Sequence, residues 1–297
     1  MIIECVIIHI SVCICMWISI CMIIRIVYFE LKRGVFFLKA SLCIVTYNNR
    51  DNISAALGSI IEKTKGTELS VYICDNASSD GTPDIVEKEF PQVTVIRNTE
   101  NRGFGSGHNT IINVLDSDVH FIVNPDIMLT CDTVTQMCGF MKDNPDIVMA
   151  VPKFVYENGR EQFTPKLTPT LRYMLGGRFE RFGGVFRKWR REYTFADRNV
   201  TEVTDVGFCS GCFIAIRTDI FKRVGGFDER YFLYSEDADL TRMAQQHGRT
   251  VYTPQFSVIH LWERAYMKSC KYFFIQISSM VKYFWKWRGT KKRKKCE

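Results

Sequence analysis

A chain of 297 residues, 46% hydrophobic and 24% charged, has the composition of a folded protein, which excludes wholesale disorder. That length suits one large domain or two small ones. The net charge of +7 is gathered at one end: from Lys268 to Glu297 ten Lys or Arg face one acid, so the rest of the chain carries −2. This argues against nucleic acid as a partner, which would call for a basic face spread over the domain.

The first element is greasy. From Cys5 to Ile24 no residue carries a formal charge, and a helix of that length spans roughly 30 Å, the thickness of a bilayer core. A cleavable signal peptide would want positive charge before the apolar run. Here Glu4 precedes, while Arg25, Lys32, Arg33 and Lys39 follow, so the positive-inside bias puts the remaining chain in the cytoplasm. The alternative is a translation start further on, for example at Met22, which would remove the segment. Cys5, Cys13, Cys15 and Cys21 serve in this run as small hydrophobes.

From Ala40 a regular alternation begins. Strands are predicted at Ser41–Thr46, Leu69–Cys74, Val93–Ile96, Val119–Val123 and Ile147–Val151. Helices are predicted between them, around Ile53–Ile61, Pro83–Glu89, Ser106–Leu115 and Asp132–Met141. Apolar strands separated by such helices predict a parallel, doubly wound, Rossmann-like α/β sheet, whose ligands bind at the C-terminal strand ends. Those ends carry Thr46-Tyr47-Asn48-Asn49, Asp75-Asn76-Ala77-Ser78-Ser79-Asp80-Gly81, Arg97-Asn98 leading to Asn101-Arg102-Gly103-Phe104-Gly105, and Asn124-Pro125-Asp126. Ser79 or Asp80 alone could be a helix cap. The whole set is too polar for capping and suits the donor and acceptor edges of a nucleobase and ribose. The run Gly103-x-Gly105-x-Gly107 brings a dinucleotide-dependent oxidoreductase to mind. It lacks that fingerprint's next glycine, since residue 108 is His, and it follows the third strand rather than the first.

Asp126, just past a buried strand, could bind a hard cation through oxygen. Cys209 and Cys212 make a C-x-x-C pair, but no second pair follows at metal-like spacing, and the flanks suggest a buried strand in a reducing compartment. Gly225-Gly226-Phe227-Asp228 is a turn, and Glu236-Asp237-Ala238-Asp239 opens a helix running to His247. The helix dipole favours acids there, which accounts for one or two of the three; a general base accounts for the remainder. His260 follows the β-rich run Phe256–Ile259 and is either structural or a ligand. In the tail, Phe273, Ile277, Met280 and Phe284 fall at helical spacing beside Trp285, Trp287 and a basic cluster. This predicts either an amphipathic helix at a membrane surface or a helix packed on the domain.

These motifs together resemble a family 2 glycosyltransferase of the GT-A fold, in its rhamnosyltransferase-like bacterial branch. The resemblance spans roughly Ser41 to Trp262 and includes Ser210-Gly211. It implies an inverting transfer with Mg²⁺ or Mn²⁺, in which Thr46, Tyr47, Asn48, Asp75 and Asn76 hold the nucleoside of a nucleoside-diphosphate sugar. Asn101, Arg102, Asn109 and Asn124 would line the donor pocket, Asp126 and His260 would bind the metal, and Asp237 would be the base. Two departures stand out: Asn124 replaces the usual first Asp of the metal motif, and Leu261-Trp262-Glu263-Arg264 replaces the Gly and Ser that often follow His260.

The organisation expected is a membrane anchor and linker over 1–39, a GT-A domain over 40–265, and a basic membrane-associated tail over 266–297. The natural setting is the cytoplasmic face of the inner membrane, passing sugar to a saccharide or lipid-linked acceptor of an envelope polysaccharide. The resemblance favours rhamnose from a dTDP donor. The alternative is an inactive membrane-bound protein that only binds sugar nucleotide. The Phe154–Asn199 stretch should shape the acceptor site, yet its Gly, Pro and Arg residues show no readable pattern.

Overall fold

The computed structural model describes residues 38–162, 165–261 and 270–289. The predicted anchor Cys5–Ile24 lies outside them. Among the described residues no helix is long and apolar enough to cross a membrane.

In chain order the first half comprises β1 (Lys39–Thr46), α1 (Arg50–Lys63), β2 (Glu68–Asp75), α2 (Thr82–Glu89), β3 (Thr94–Arg97), α3 (Phe104–Asn109), β4 (Val119–Val123), β5 (Ile127–Met128), α4 (Thr133–Asp143) and β6 (Ile147–Val155). The second half comprises α5 (Leu171–Phe179), a 3₁₀ turn (Glu180–Phe182), α6 (Gly184–Tyr193), β7 (Thr204–Asp205), β8 (Phe213–Arg217), α7 (Thr218–Arg223), α8 (Glu236–Ala244), β9 (Arg249–His260) and α9 (Cys270–Lys286).

The strands form one sheet in the order β3-β2-β1-β4-β8-β6-β9-β5, with β7 paired to β9. β1 to β4 are mutually parallel, as the alternation predicted. Beyond β4 the expectation of a parallel sheet is corrected. β8 runs antiparallel to both β4 and β6, and β5 and β7 run antiparallel to β9; only β6 and β9 are parallel there. The reason is physical: an unbroken apolar run reports burial on both faces, and β8 reads Phe-Ile-Ala-Ile with every residue buried. Burial carries no information on strand direction.

Two core clusters fill the faces of this sheet, one around Leu42, Ile44, Phe121 and Phe213, the other around Cys43, Ile122, Ile214 and Phe227. Alternate residues of β1 enter different clusters, as a period of two requires. Cys209 and Cys212 likewise pack into different clusters, so they do not face one point. The helix predicted over Ser106–Leu115 is shortened to α3, because Asn109 turns its side chain to the backbone of Phe227, and residues 110–114 continue as turns. The helix predicted to reach His247 stops at Ala244 in tighter turns, with His247 N–H donating to the Ala244 carbonyl.

α9 docks on the domain by one face and exposes the other. Tyr283 is buried against Tyr231 and Ala238, and the buried Ser279 donates to the Leu233 carbonyl at 2.8 Å. Phe274, Ile277, Val281 and Trp285 form an exposed line on the opposite side. The apolar face predicted from Phe273, Ile277, Met280 and Phe284 is therefore rotated, since Met280 and Phe284 are half-buried. Tyr283→Ala should cost about 3 kcal/mol of stability through the lost packing. Val281→Asp, on the exposed line, should stay within about 0.5 kcal/mol of the parent. Urea unfolding of the two variants checks which face is docked, and equal losses would overturn the assignment.

Candidate active site

The antiparallel registers bring the distant motifs together. Val123 of β4 pairs with Phe213 of β8, so Asn124 N–H donates to the Cys212 carbonyl at 2.9 Å. Ile127 of β5 pairs with His260 of β9, and Leu261 N–H donates to the Asp126 carbonyl at 3.0 Å. This sets His260 Nε2 3.4 Å from Asp126 Oδ2. Gln162, after β6, donates its amide to the His260 carbonyl at 2.8 Å and accepts from Nδ1 at 2.9 Å. The carbonyl contact fixes which way the amide points, so Nδ1 carries a proton and Nε2 is turned to Asp126.

Asp126 Oδ1 is buried and has no hydrogen-bond partner. An orphaned carboxylate oxygen beside an oriented imidazole is the donor set of a divalent cation site. Among the described residues no cluster of three His, Cys, Asp or Glu forms, so the remaining ligands of such a cation would be water or a bound phosphate.

The three acids of α8 occupy three different environments. Asp239 is fully buried and accepts from Lys286 Nζ at 2.6 Å and from Trp287 Nε1 at 2.6 Å. Asp237 accepts from Gly211 N–H at 3.0 Å and Ala238 N–H at 2.9 Å. Glu236 is buried with its Oε2 unpartnered. Burial raises Glu236 to about 8, and the neighbouring Asp237 charge adds to this. Burial also raises Asp237, but the Gly211 N–H, the Lys166 charge and the Ala238 N–H oppose the rise. Glu236 is thus the more strongly raised of the pair, while backbone donors and Lys166 limit the rise at Asp237.

Of the predicted donor residues, Thr46, Asp75 and Asn76 are buried in the rim itself. Asp75 accepts from Thr46 Oγ at 2.8 Å and from Ser78 N–H at 2.8 Å. Asn76 donates to the Gly103 carbonyl at 3.0 Å and accepts from Asn98 at 2.9 Å. Tyr47 is 49% exposed at the rim. Asn48 is also exposed, takes the left-handed φ of 57° and accepts from Ser79 N–H at 2.9 Å, which locks the first two loops together. Asn101 accepts from Gly103 N–H at 3.0 Å. Arg102 is exposed beside Glu229. Asn109 donates to Glu229 at 3.1 Å, the carboxylate that also takes Arg102. It clamps the Gly226-Phe227 turn, donating to the Phe227 carbonyl at 2.8 Å and accepting its N–H at 2.9 Å.

A family model described as glycosyl transferase family 2 matches residues 41–225, more than half of the chain. The chain belongs to this family. It is 28% identical over 230 residues to the N-acetylglucosaminyl-diphospho-decaprenol L-rhamnosyltransferase of Mycobacterium tuberculosis, covering 73% of this chain and 74% of that one. It is also 28% identical over 173 residues to rhamnosyltransferase WbbL of Escherichia coli, covering 53% and 61%. Among solved structures it resembles mannosyltransferase PcManGT from Pyrobaculum calidifontis in complex with GDP-Man and Mn²⁺, with TM-score 0.58, 18% identity, and coverage of 84% of this chain and 64% of that one. The fold is thus a mixed α/β, GT-A-like one.

In this family 2 glycosyltransferase several site residues carry no motif. Lys166 pairs its backbone with Phe208, and its Nζ lies 4.7 Å from the Phe208 ring. Burial lowers its pKa, while Cys212 and Asp237 favour its charge. Gln162 and Lys286 carry no motif either, since each acts only across the fold, Gln162 on His260 and Lys286 on Asp239. Burial works against a protonated His260, yet Asp126 and the Cys212 sulfur beside the ring outweigh it and raise the value to about 10.

Gln162→Leu should weaken Mn²⁺ binding by about 10–100-fold, since the imidazole loses its orienting partner. Titration calorimetry without donor measures this, and unchanged affinity would remove Gln162 from the site. Glu236 stabilises the fold fully below its ordinary value of 4.5, and that contribution is lost as the pH rises through about 8. Wild type should therefore lose more melting temperature than Glu236→Gln across that window. Parallel melting curves for the two proteins would refute the protonated Glu236.

Proposed function

We propose that this chain is an inverting glycosyltransferase dependent on a divalent metal, Mg²⁺ or Mn²⁺. It passes a sugar from a nucleoside-diphosphate sugar to a saccharide or lipid-linked acceptor in cell-envelope polysaccharide assembly. The observation that carries this is the placing of the Asp237 carboxylate, held by the Gly211 N–H, at the edge shared by Gly211, Cys212 and the Asp126–His260 pair. The relative named for a diphospho-decaprenol acceptor supports the lipid-linked class, and its rhamnose favours a dTDP-rhamnose donor. The similar structure holding GDP-Man and Mn²⁺ supports a metal-assisted nucleotide-sugar donor.

The chemistry follows from the residues. Asp237 takes the proton of the acceptor hydroxyl, whose oxygen attacks the anomeric carbon as the bond to the diphosphate breaks, inverting the centre. Burial raises Asp237, and the backbone N–H groups of Gly211 and Ala238, with Lys166 nearby, favour its ionised form against that rise. Asp126 and His260 would hold a divalent cation, which when bound would supply positive charge to the departing diphosphate. Tyr47, Asn48 and Arg102 present the exposed groups of the donor rim, while Thr46, Asp75, Asn76, Asn101 and Asn124 shape its wall. Asn109 contributes indirectly, through the turn before α8. We further infer that the Cys5–Ile24 anchor and the basic tail hold the domain at the cytoplasmic face of the inner membrane.

The test is nucleoside-diphosphate release from a panel of sugar nucleotides with Mn²⁺ or Mg²⁺ and membrane extract as acceptor source. Release from one donor, abolished by chelation and reduced about 100-fold or more by Asp237→Asn with nucleotide binding intact, is expected. Release from no donor would favour the inactive sugar-nucleotide-binding reading. Release unchanged in the variant would keep the enzyme and remove Asp237 as its base.

A further inference from the structure

The α5–α6 hairpin forms the middle of the stretch whose sequence gave no pattern. One end of it reaches the site: Tyr193 closes α6, stacks on Tyr173 at 5.2 Å, and feels the charge of Asp237. Lys166, just before the hairpin, does the same, and Leu167 N–H donates to the Tyr193 carbonyl at 3.0 Å. The other end is exposed and apolar: Phe179 is 37%, Phe182 64% and Val185 49% accessible, with Leu175 at 44% midway along α5.

This surface is basic as well. Leu171 to Tyr193 holds seven Lys or Arg against two Glu, and Cys270 to Arg288 holds no acid. Three arginines lie over aromatic rings rather than pairing with carboxylates among the described residues. Arg178 sits 4.7 Å from the Phe273 ring, Arg181 4.8 Å from Phe182, and Arg288 3.6 Å from Trp285. The first of these joins the hairpin to α9. The last lies on the exposed line of Phe274, Ile277, Val281 and Trp285.

An exposed ring with a guanidinium on its face is poorly matched to water, which hydrates one and not the other. It is well matched to a bilayer surface, where the ring enters the headgroup layer and the cation meets lipid phosphate. We propose that the α5–α6 hairpin and α9 form one docking face for an anionic bilayer, through which a lipid-linked acceptor is delivered to Asp237. The hairpin is the link, with Phe182 and Leu175 in the interface and Tyr193 at the site. The proposal rests on the membrane reading above and deepens it, because it gives the membrane face to the catalytic domain and not to the tail alone.

The test uses the full chain reconstituted in bilayer nanodiscs of phosphatidylcholine with or without phosphatidylglycerol, with brominated phosphatidylcholine as a quencher. In Phe182→Trp the added tryptophan emission should be quenched, more strongly with phosphatidylglycerol and less at high salt. In Trp285→Phe a quenched fraction should disappear. Phe182→Asp should cut turnover of a disc-embedded acceptor about tenfold or more and leave nucleotide affinity unchanged. Quenching at Trp285 but not at position 182 would overturn the shared face and leave the tail contact standing. No quenching at either, with the chain still in the disc, would overturn the docking face and leave only the anchor. A position 182 shielded only when a second polypeptide is added would give the face to a protein partner, against the proposal.

Discussion

This end of the molecule depends on one constraint: at the head of α8 two carboxylates, Glu236 and Asp239, are taken out of water and a third, Asp237, is half-buried between them. An unpaired buried charge is costly, and removing one partner of a buried pair typically costs about 3–5 kcal/mol. Asp239 is made tolerable by Lys286 and Trp287 from the far end of the chain. Asp237 relies on two backbone N–H groups, and Glu236 avoids the charge by keeping its proton. The distinction assigns roles. The oxygens of Asp239 are committed to structure, and a protonated Glu236 cannot accept a proton. Asp237 is left as the carboxylate able to take one.

The same constraint accounts for the strained loop ahead of α8. Tyr234 and Ser235 both adopt a left-handed φ of 69°, a conformation that costs an L-residue roughly 1–2 kcal/mol. Neighbouring carbonyls are held from two sides. Phe104 N–H donates to Phe232 O at 3.1 Å, while Ser279 donates to Leu233 O at 2.8 Å and Lys282 to Arg230 O at 2.7 Å. On the donor side this approach requires Gly103, whose φ is 96° and where a Cβ would stand 2.0 Å from the Phe232 oxygen. The loop that leads into Asp237 is thus tied to the Gly103 turn and to α9 at once.

What was legible in the sequence follows from which interactions are local. The parallel half showed itself because β1 to β4 alternate with helices, and their polar ends stand next to them in sequence. The acids at Glu236, Asp237 and Asp239 were legible as a group, but their division into base, neutral acid and brace was not. That division depends on Gly211, Lys166, Lys286 and Trp287, which lie far away in the chain. The antiparallel half was hidden because direction leaves no mark on an apolar run. Without it nothing in the sequence puts His260 opposite Ile127, and the pairing with Asp126 rested on resemblance alone. Gln162 was hidden for the same reason, since its two bonds cross 98 positions.

α9 unites the two ends of this reasoning. Its inner face supplies Ser279, Lys282, Lys286 and Trp287 to the loop and helix that carry the acids. Its outer line of Phe274, Val281 and Trp285 contributes nothing to that packing. Hydrogen bonds to that loop and helix select the first set, while stability gives no reason for three large apolar side chains on the second. The two faces share one backbone, so an ordered α9 and an ordered acidic loop are populated together. Anything that binds the outer line with α9 docked therefore favours the arrangement in which Asp239 is neutralised and Asp237 is held at Gly211. Under the proposed function that coupling would set Asp237 in place where a lipid-embedded acceptor is met.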